Sequence, residues 1–206
     1  MREVDLETWD RRLLYEHFIK FKDPYFGIVA PFDVSKAFKY AKSRNLSFFG
    51  VYLHACMLAI NDVDAFKLRI IKGRPVSFET IHASATIIRE NKTFGFSFVN
   101  FNPDLAAFLS NLADEKDRIQ NSDALFPPEN GLDCIHCSAM PWIDFSGHKE
   151  PVSGLQDSVP KLAFSKANYL PDGQMQMKVA INVNHALMDG VHVSQFCEKF
   201  QHYLNS

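Results

Sequence analysis

The amino-acid sequence predicts an α/β fold, a two-layer sandwich in which helices pack on a mixed, largely antiparallel sheet. Two observations support this prediction. Apolar residues recur at helical spacing in several segments, and between them lie strand-like stretches with hairpin signals. Of the 206 residues, 47% are hydrophobic and 22% are charged, as in ordinary globular proteins. A chain of this length can bury one sizeable core, so we expect residues 1–206 to form a single domain.

The first quarter of the chain predicts a helix, a strand and a second helix. Thr8 can cap a helix over residues 9–22, and Asp10 would lie in its first turn, where an acidic group is favourable. Residues 26–34 predict a strand, and residues 35–44 predict a short helix.

The second quarter predicts a buried helix and then a hairpin. Residues 47–60 are apolar on nearly all sides, which is typical of a helix inside the core. Gly73 separates two short strand-like stretches, residues 67–71 and 75–78, and so predicts a tight turn. Two further strands are expected, at residues 84–89 and 93–99.

The second half begins with a helix and ends with a strand and a helix. Helical spacing returns over residues 104–119, and a Pro-containing connection leads to short strands at 134–138 and 162–165. Apolar residues alternate over residues 175–183, which predicts a strand, and residues 191–204 predict a helix.

Between this last strand and helix lies the segment Asn184-His-Ala-Leu-Met-Asp-Gly190. It places His185 four residues before Asp189, at the point where a strand leaves a sheet. Imidazole is the side chain whose ordinary pKa lies nearest neutrality, so His185 is a candidate for proton transfer. The alternative interpretation is a half-buried, hydrogen-bonded histidine followed by a turn.

Composition excludes several classes of partner. A net charge of −2 and an isoelectric point near 6.4 provide no basic field for nucleic acid or an anionic membrane. We recognise no signal peptide and no apolar run long enough to span a membrane. We therefore expect a cytoplasmic protein, with its four cysteines as reduced thiols. The 19 phenylalanines must mostly fill the core, and some are suited to an apolar ligand pocket or an oligomer interface.

The segment Cys134-Ile-His-Cys137 has the spacing of a zinc or redox motif. A tetrahedral zinc site needs four ligands, and the sequence has no second Cys-x-x-Cys pair. We therefore predict no metal and interpret these residues as part of a buried strand.

Four segments carry a resemblance to a known family. They are His185-Ala-Leu-Met-Asp-Gly-Val-His-Val193, Ser138-Ala-Met-Pro-Trp142, Trp9-Asp-Arg11 and Leu125-Phe-Pro127. In order and spacing they resemble the chloramphenicol acetyltransferases, trimeric enzymes that move acetyl from acetyl-CoA to a hydroxyl of an antibiotic. The resemblance covers almost the whole chain and implies an enzyme of this fold and reaction, which acts on a small hydroxylated acceptor.

The resemblance also implies roles for individual residues. His185 would be the general base, a role worth about 10² to 10⁴ in rate, and Ser138 would donate a hydrogen bond to the oxyanion of the intermediate. Asp189 would pair with Arg11 and shape the loop that holds the histidine. The resemblance places three phenylalanines against the acceptor and two residues along the CoA tunnel: Phe18, Phe26 and Phe94, then Trp142 and Lys166.

Each of these residues also has a simpler interpretation: a core phenylalanine, a surface lysine, a solvated arginine, or a strand-end serine bonded to backbone. The chain also departs from the family pattern at two places near the motifs. Asn184 replaces the first of a usual histidine pair, and Ala163 stands where the family has a threonine whose hydroxyl helps hold a water at the intermediate.

Two other functions stay open on the sequence. One is a trimeric ligand-binding homologue that has lost turnover. The other is a dihydrolipoamide acyltransferase core, which shares the His-x-x-x-Asp-Gly motif and uses a lipoyl thiol. By resemblance, a chain of this family forms a homotrimer with its sites at the subunit interfaces.

Overall fold

The computed structural model of the chain describes residues 1–152 and 157–206. Within these residues the helices are α1 (Arg12–Phe18), α2 (Ser35–Ser43), α3 (Phe48–Asn61), α4 (Leu105–Gln120) and α5 (Gly190–Leu204). The strands are β1 (Arg2–Glu3), β2 (Tyr25–Asp33), β3 (Leu68–Ile71), β4 (Arg74–Ser77), β5 (His82–Ile88), β6 (Phe94–Phe96), β7 (Cys134–Ala139), β8 (Lys161–Phe164), β9 (Asn168–Tyr169) and β10 (Met175–Asn184). A short 3-10 helix, Asp64–Lys67, precedes β3.

The described strands form two sheets. The larger sheet has seven strands, in the order β2-β10-β8-β7-β5-β6, with β9 paired to one end of β10. Strand β7 runs parallel to β5 and to β8, and the other neighbouring pairs are antiparallel. The smaller sheet has the order β1-β4-β3. The predicted α/β fold, helices on a mixed and largely antiparallel sheet, is confirmed.

Helices α2, α3, α4 and α5 and the main hydrophobic core lie on one face of the larger sheet, while α1 packs in a separate cluster with β3 and the loop after β10. Ile135 and Cys137 of β7 point into this core, as do Leu162 of β8 and Ile181 of β10. Helix α3 is buried along most of its length, as its apolar sequence predicts, and the Ser47 hydroxyl caps it by accepting from the Gly50 N–H. Because side chains alternate along a strand, the residues between these core positions lie on the opposite face of the sheet.

The first helix is shorter than predicted. The sequence favoured a helix over residues 9–22, but α1 begins only at Arg12. Thr8 does not cap it, because the Thr8 hydroxyl donates to the Asp5 carboxylate at 3.1 Å inside an earlier turn. Arg11 occupies the cap position without a capping hydrogen bond from its side chain. That side chain is used elsewhere, at the candidate active site.

Other boundaries follow the local signals more closely. The predicted hairpin is present as β3 and β4, and Gly73 in its turn has a φ of +75°, a conformation that glycine adopts without strain. The strand predicted at residues 93–99 is shorter, since β6 ends at Phe96 and Val99 forms an isolated bridge with Ala83. Strands β1 and β9 were not predicted, because each has two residues and no local pattern.

Candidate active site

His185 lies directly after β10, where that strand leaves the sheet. Its backbone N–H donates to the Pro24 carbonyl at 2.8 Å, which ties the residue to the start of β2. Its Nδ1 lies 3.2 Å from the Met188 carbonyl oxygen. Since a carbonyl can only accept, Nδ1 carries the proton of the neutral ring. Among the described residues Nε2 has no hydrogen-bond partner. Its lone pair is therefore available to accept a proton, as a general base must.

Two phenylalanines fix the plane of the His185 ring. The Phe18 ring from α1 stacks on the imidazole with centroids 4.1 Å apart and planes within 6° of parallel. The Phe26 ring from β2 lies on it at 4.6 Å and is tilted by 46°. With two aromatic neighbours and the Met188 hydrogen bond, the imidazole has little freedom to rotate. Two of the three phenylalanines predicted to contact the acceptor therefore lie beside the histidine.

An ion pair joins the start of the chain to the loop that holds the histidine. Arg11 Nη1 donates to the Asp189 carboxylate, and Arg11 Nη2 donates to the His185 carbonyl at 3.2 Å. The side chains are 12% and 30% exposed, so the pair is partly shielded from water. Partial burial raises the pKa of Asp189, but the Arg11 hydrogen bond and charge, together with His192, outweigh it and hold that pKa below its ordinary value.

Asp189 also starts helix α5. Its carboxylate accepts from the Val191 N–H at 3.2 Å and lies 2.9 Å from His192 Nδ1, in a capping box. A carboxylate at a helix N-terminus is favourable because the first N–H groups of the helix are unpaired. Asp189 therefore connects α1, the His185 loop and α5, and it has no direct hydrogen bond to the His185 ring among the described contacts.

Ser138 lies on β7, on the sheet face opposite the helices. It pairs in register with Ala163 of β8. Its hydroxyl has no hydrogen-bond partner among the described residues, so the hydroxyl is available to a ligand. The residue lines a cavity of about 1100 Å³. Three further residues predicted at the site line the same cavity: Phe94, Trp142 and Lys166.

The structure therefore brings the predicted residues together in two groups. Arg11, Phe18, Phe26 and Asp189 surround His185, while Phe94, Trp142 and Lys166 share the cavity with Ser138. The two groups do not meet within one chain. Ser138 is in register with Ala163, and Ala163 with Ala180, five residues before His185. At about 3.3 Å per residue and about 4.8 Å between strands, the backbones of Ser138 and His185 are on the order of 20 Å apart.

Comparison with known proteins assigns this arrangement to a family. A family model described as chloramphenicol acetyltransferase matches residues 1–201. The chain belongs to the chloramphenicol acetyltransferase family. A chloramphenicol acetyltransferase of Proteus mirabilis is 23% identical over 97% of this chain and 93% of its own length. Chloramphenicol acetyltransferase 2 of Haemophilus influenzae is 26% identical over 96% and 94%. The chain is thus an acyltransferase, and the family predicted from the four motifs is confirmed.

Solved structures agree with this membership. A chloramphenicol acetyltransferase structure superposes with a TM-score of 0.88 at 26% identity, covering 99% of this chain and 100% of that one. A dihydrolipoamide acetyltransferase of Azotobacter vinelandii superposes with a TM-score of 0.73 at 12% identity, covering 93% and 86%. The second likeness concerns the fold alone.

Sequence reasoning missed a polar cluster in the cavity of this acyltransferase. His136, Asp157 and Lys161 all line the cavity that holds Ser138. The sequence alone predicts His136 as part of a buried strand, with no role at the site. Strand alternation was the available signal, since His136 is two residues before Ser138 and therefore shares its sheet face. The position of Lys161 could not be found in this way, because it depends on how β8 pairs with β7.

Two searches over the described residues concern other functions. No three of their His, Cys, Asp or Glu side chains lie close enough to hold a metal ion together. In the same residues, no helix combines the length and the apolar character that a membrane crossing needs.

Proposed function

We propose that this acyltransferase moves acetyl from acetyl-CoA to a hydroxyl of chloramphenicol or of a similar small hydroxylated acceptor. The names of its relatives support acetyl transfer to chloramphenicol. The observation that carries the mechanism is the state of His185. Its Nδ1 bonds to the Met188 carbonyl, and its Nε2 has no hydrogen-bond partner in residues 1–152 and 157–206, on a ring held by Phe18 and Phe26.

In this mechanism His185 is the general base. Nε2 takes the proton of the acceptor hydroxyl while the hydroxyl oxygen attacks the thioester carbonyl carbon. The carbonyl oxygen becomes an oxyanion, which accepts a hydrogen bond from the Ser138 hydroxyl. Collapse of the intermediate breaks the carbon–sulfur bond. The CoA thiolate then takes from the imidazolium the proton that came from the acceptor hydroxyl. The products are the acetyl ester and free CoA, so His185 ends in its starting state.

The cavity suggests how the two substrates lie about Ser138. Trp142 and Lys166 follow Ser138 and Ala163 along the parallel strands β7 and β8, so they lie at one end of the cavity. We assign this end to CoA. The Trp142 side chain is 63% exposed and offers a wide apolar surface, and Lys166 offers a cation for phosphate. The acceptor then approaches Ser138 from the other end. Phe94, proposed to contact the acceptor, borders the cavity on the Trp142 side of Ser138, because it pairs with Ile88, three residues beyond the Ala85–Cys137 pair.

A shared site between subunits follows from the distance between the two groups. An acceptor oxygen must touch His185 while the thioester oxygen touches Ser138, and these are only a few ångströms apart in an intermediate. Within one chain the two backbones are on the order of 20 Å apart by strand geometry. We therefore propose that His185 of one chain works with Ser138 of a neighbour in a homotrimer. The four free cysteines suit the reducing cytoplasm, where we place the enzyme.

The reaction is tested by following thiol release from acetyl-CoA with chloramphenicol, with other small alcohols and with dihydrolipoamide. Release with an alcohol that disappears in His185→Ala is the expected result. A variant at an exposed histidine, His202→Ala, should keep full activity. Thiol release that persists in His185→Ala would refute the assignment of the base. Faster transfer to dihydrolipoamide than to any alcohol would replace the proposed reaction with lipoyl chemistry. Tight acceptor binding without release would indicate a non-catalytic homologue.

A further inference from the structure

On the face of the sheet that carries Ser138, a row of polar residues lies next to this serine. His136 of β7 pairs in register with Lys161 of β8, and Lys161 pairs with Asn182 of β10. This polar row is two residues along the strands from the Ser138–Ala163 pair, about 7 Å away. It lies on the opposite side of Ser138 from Trp142 and Lys166. The row is therefore at the end of the cavity that the proposed function leaves to the acceptor.

A buried ion pair holds the centre of the polar row. Lys161 Nζ donates to the Asp157 carboxylate at 2.8 Å, and both side chains are only 5% exposed. The Tyr25 hydroxyl lies 2.9 Å from the same carboxylate, and the Lys161 ammonium lies 5.1 Å from the Tyr25 ring centroid. The second described contact of Lys161, to the Val159 carbonyl, is long at 3.5 Å. An ammonium has three N–H groups, so at least one remains for a ligand.

His136 stands at the edge of this ion pair with its hydrogen-bonding capacity unused. Its ring nitrogens have no partner within the described part of the chain, although the residue is accessible from the cavity. Its recessed position and the nearby positive charges of Lys161 and Arg69 lower the pKa of His136 to about 4. At neutral pH the ring is therefore uncharged and presents one donor and one acceptor. Asn182 continues the row, and its buried Nδ2 also has no partner there.

An apolar acceptor group does not suit this end of the cavity. It would remove water from the accessible His136 ring and from Lys161 without replacing the lost hydrogen bonds, and covering polar groups in this way is costly. A charged group is not required either, because Asp157 already balances Lys161. Hydroxyl groups both donate and accept hydrogen bonds. They therefore match the polar row, which combines the ammonium of Lys161, the neutral imidazole of His136 and the carboxylate of Asp157.

Resting on the proposed function, we infer that His136 and Lys161 form a specificity subsite for an uncharged, polyhydroxylated acceptor of sugar-like polarity. One hydroxyl of the acceptor reacts at Ser138 and His185, and a second hydroxyl hydrogen-bonds His136 about 7 Å further along the strands. The subsite positions the acceptor and takes no part in breaking the thioester.

The test uses His136→Phe, which removes the hydrogen bonds and keeps a ring, and His136→Gln, which retains a donor and an acceptor. Changing Lys161 alone would leave Asp157 as an unpaired buried charge and endanger the fold, so Lys161 is left intact. His202→Phe, on the exposed end of α5, is the matched control. Methyl glucoside, methyl galactoside, maltose and chloramphenicol serve as probes, with binding measured by calorimetry and turnover by thiol release.

We expect at least one sugar to bind the wild-type protein, with affinity about ten-fold weaker in His136→Phe and largely recovered in His136→Gln. The KM for acetyl-CoA should be unchanged in both. Equal sugar binding in His136→Phe, or no sugar binding beside normal turnover of chloramphenicol, would overturn the subsite and leave the proposed reaction standing. Sugar binding that depends on His136 without any thiol release would support the subsite and overturn the reaction. These outcomes separate the two failures.

Discussion

Phe18 lies flat against the imidazole of His185, with ring centroids 4.1 Å apart and planes within 6° of parallel. The stack covers one face of the proposed base, while the Met188 carbonyl holds Nδ1. It gives Phe18 a positioning role beside the acceptor contact predicted from the sequence. The orientation of Nε2 thus depends on a residue that takes no proton itself.

Removing the Phe18 ring should therefore reduce turnover. We expect Phe18→Ala to lower kcat by about 10²-fold, because a small misplacement of a reacting group has costs of that size. Phe18→Tyr keeps the ring and should retain most activity. Phe21 contacts Phe18 at 5.2 Å but has no described ring contact with His185, so Phe21→Ala should lose far less. Steady-state kinetics of the three variants decide the matter, and equal losses in Phe18→Ala and Phe21→Ala would contradict the positioning role.

Ser138 should matter to the transition state more than to binding. Its hydroxyl, which has no partner in the described part of the chain, is the proposed oxyanion donor, and loss of one such donor typically costs about 10² to 10³ in kcat. Ser138→Ala should show this loss with the KM for acetyl-CoA little changed. Ser110, an exposed serine on α4, provides the control variant Ser110→Ala. A Ser138→Ala enzyme with near-normal kcat would assign the oxyanion to another donor.

Ala163 bears on the same step. It pairs with Ser138 in register, and by the resemblance of the sequence it stands where the family has a threonine. Because the Ala163 side chain has no hydroxyl, we predict that Ala163→Thr raises kcat several-fold by adding a hydrogen-bonding group near the intermediate. Ala163 is fully buried, so the larger side chain can also crowd the sheet. Urea unfolding of the variant separates a change in stability from a change in catalysis. A folded Ala163→Thr enzyme with unchanged kcat would show that the hydroxyl is dispensable here.

Arg11 and Arg12 are neighbours in the sequence but have different environments. Replacing each one by alanine therefore gives a matched pair of variants. Arg11 is 12% exposed and bonds both Asp189 and the His185 carbonyl, whereas Arg12 pairs with the exposed Glu7 and Glu16. We expect Arg11→Ala to lower the free energy of unfolding by about 2 kcal/mol, the scale of a charged hydrogen bond. Arg12→Ala should change it much less. Urea unfolding at one protein concentration measures both, and equal effects would contradict the structural role of Arg11.

The success of sequence reasoning varied with how local each signal was. The apolar helix α3 and the Gly73 hairpin are encoded within short segments, and both were predicted. The motif around His185, together with the three other segments, identified the family. The prediction that Thr8 caps the first helix was wrong, because the Thr8 hydroxyl bonds to Asp5, three residues earlier. The two-residue strands β1 and β9 are defined by their pairing with β4 and β10, which no local sequence pattern indicates. The polar row could not be predicted, since it depends on the register that places Lys161 beside His136.

His136 should also give the stability a particular pH dependence. Its pKa is about 4 in the folded chain, against about 6.5 in an unfolded one. Between these values the unfolded chain binds more protons, so stability rises with pH in this window and is lost as pH falls from about 6.5 towards about 4. His54 and His82 shift in the same direction and contribute too. The difference between wild type and His136→Phe isolates one group. From pH 7.5 through 6 to 5, the urea midpoint of wild type should fall relative to that of His136→Phe, and parallel curves would contradict the shift.

The proposed site between subunits makes a prediction that a site within one chain cannot meet. His185→Ala and Ser138→Ala are each expected to be nearly inactive, yet a neighbour could supply what each one lacks. If the two variants are unfolded, mixed in equal amounts and refolded together, about one quarter of the interfaces in randomly assembled trimers should combine an intact His185 with an intact Ser138. Thiol release should therefore recover to about one quarter of the wild-type rate, while each variant refolded alone stays inactive. Light scattering verifies that trimers form in all three samples. Trimers without recovered activity would contradict a site built from two chains.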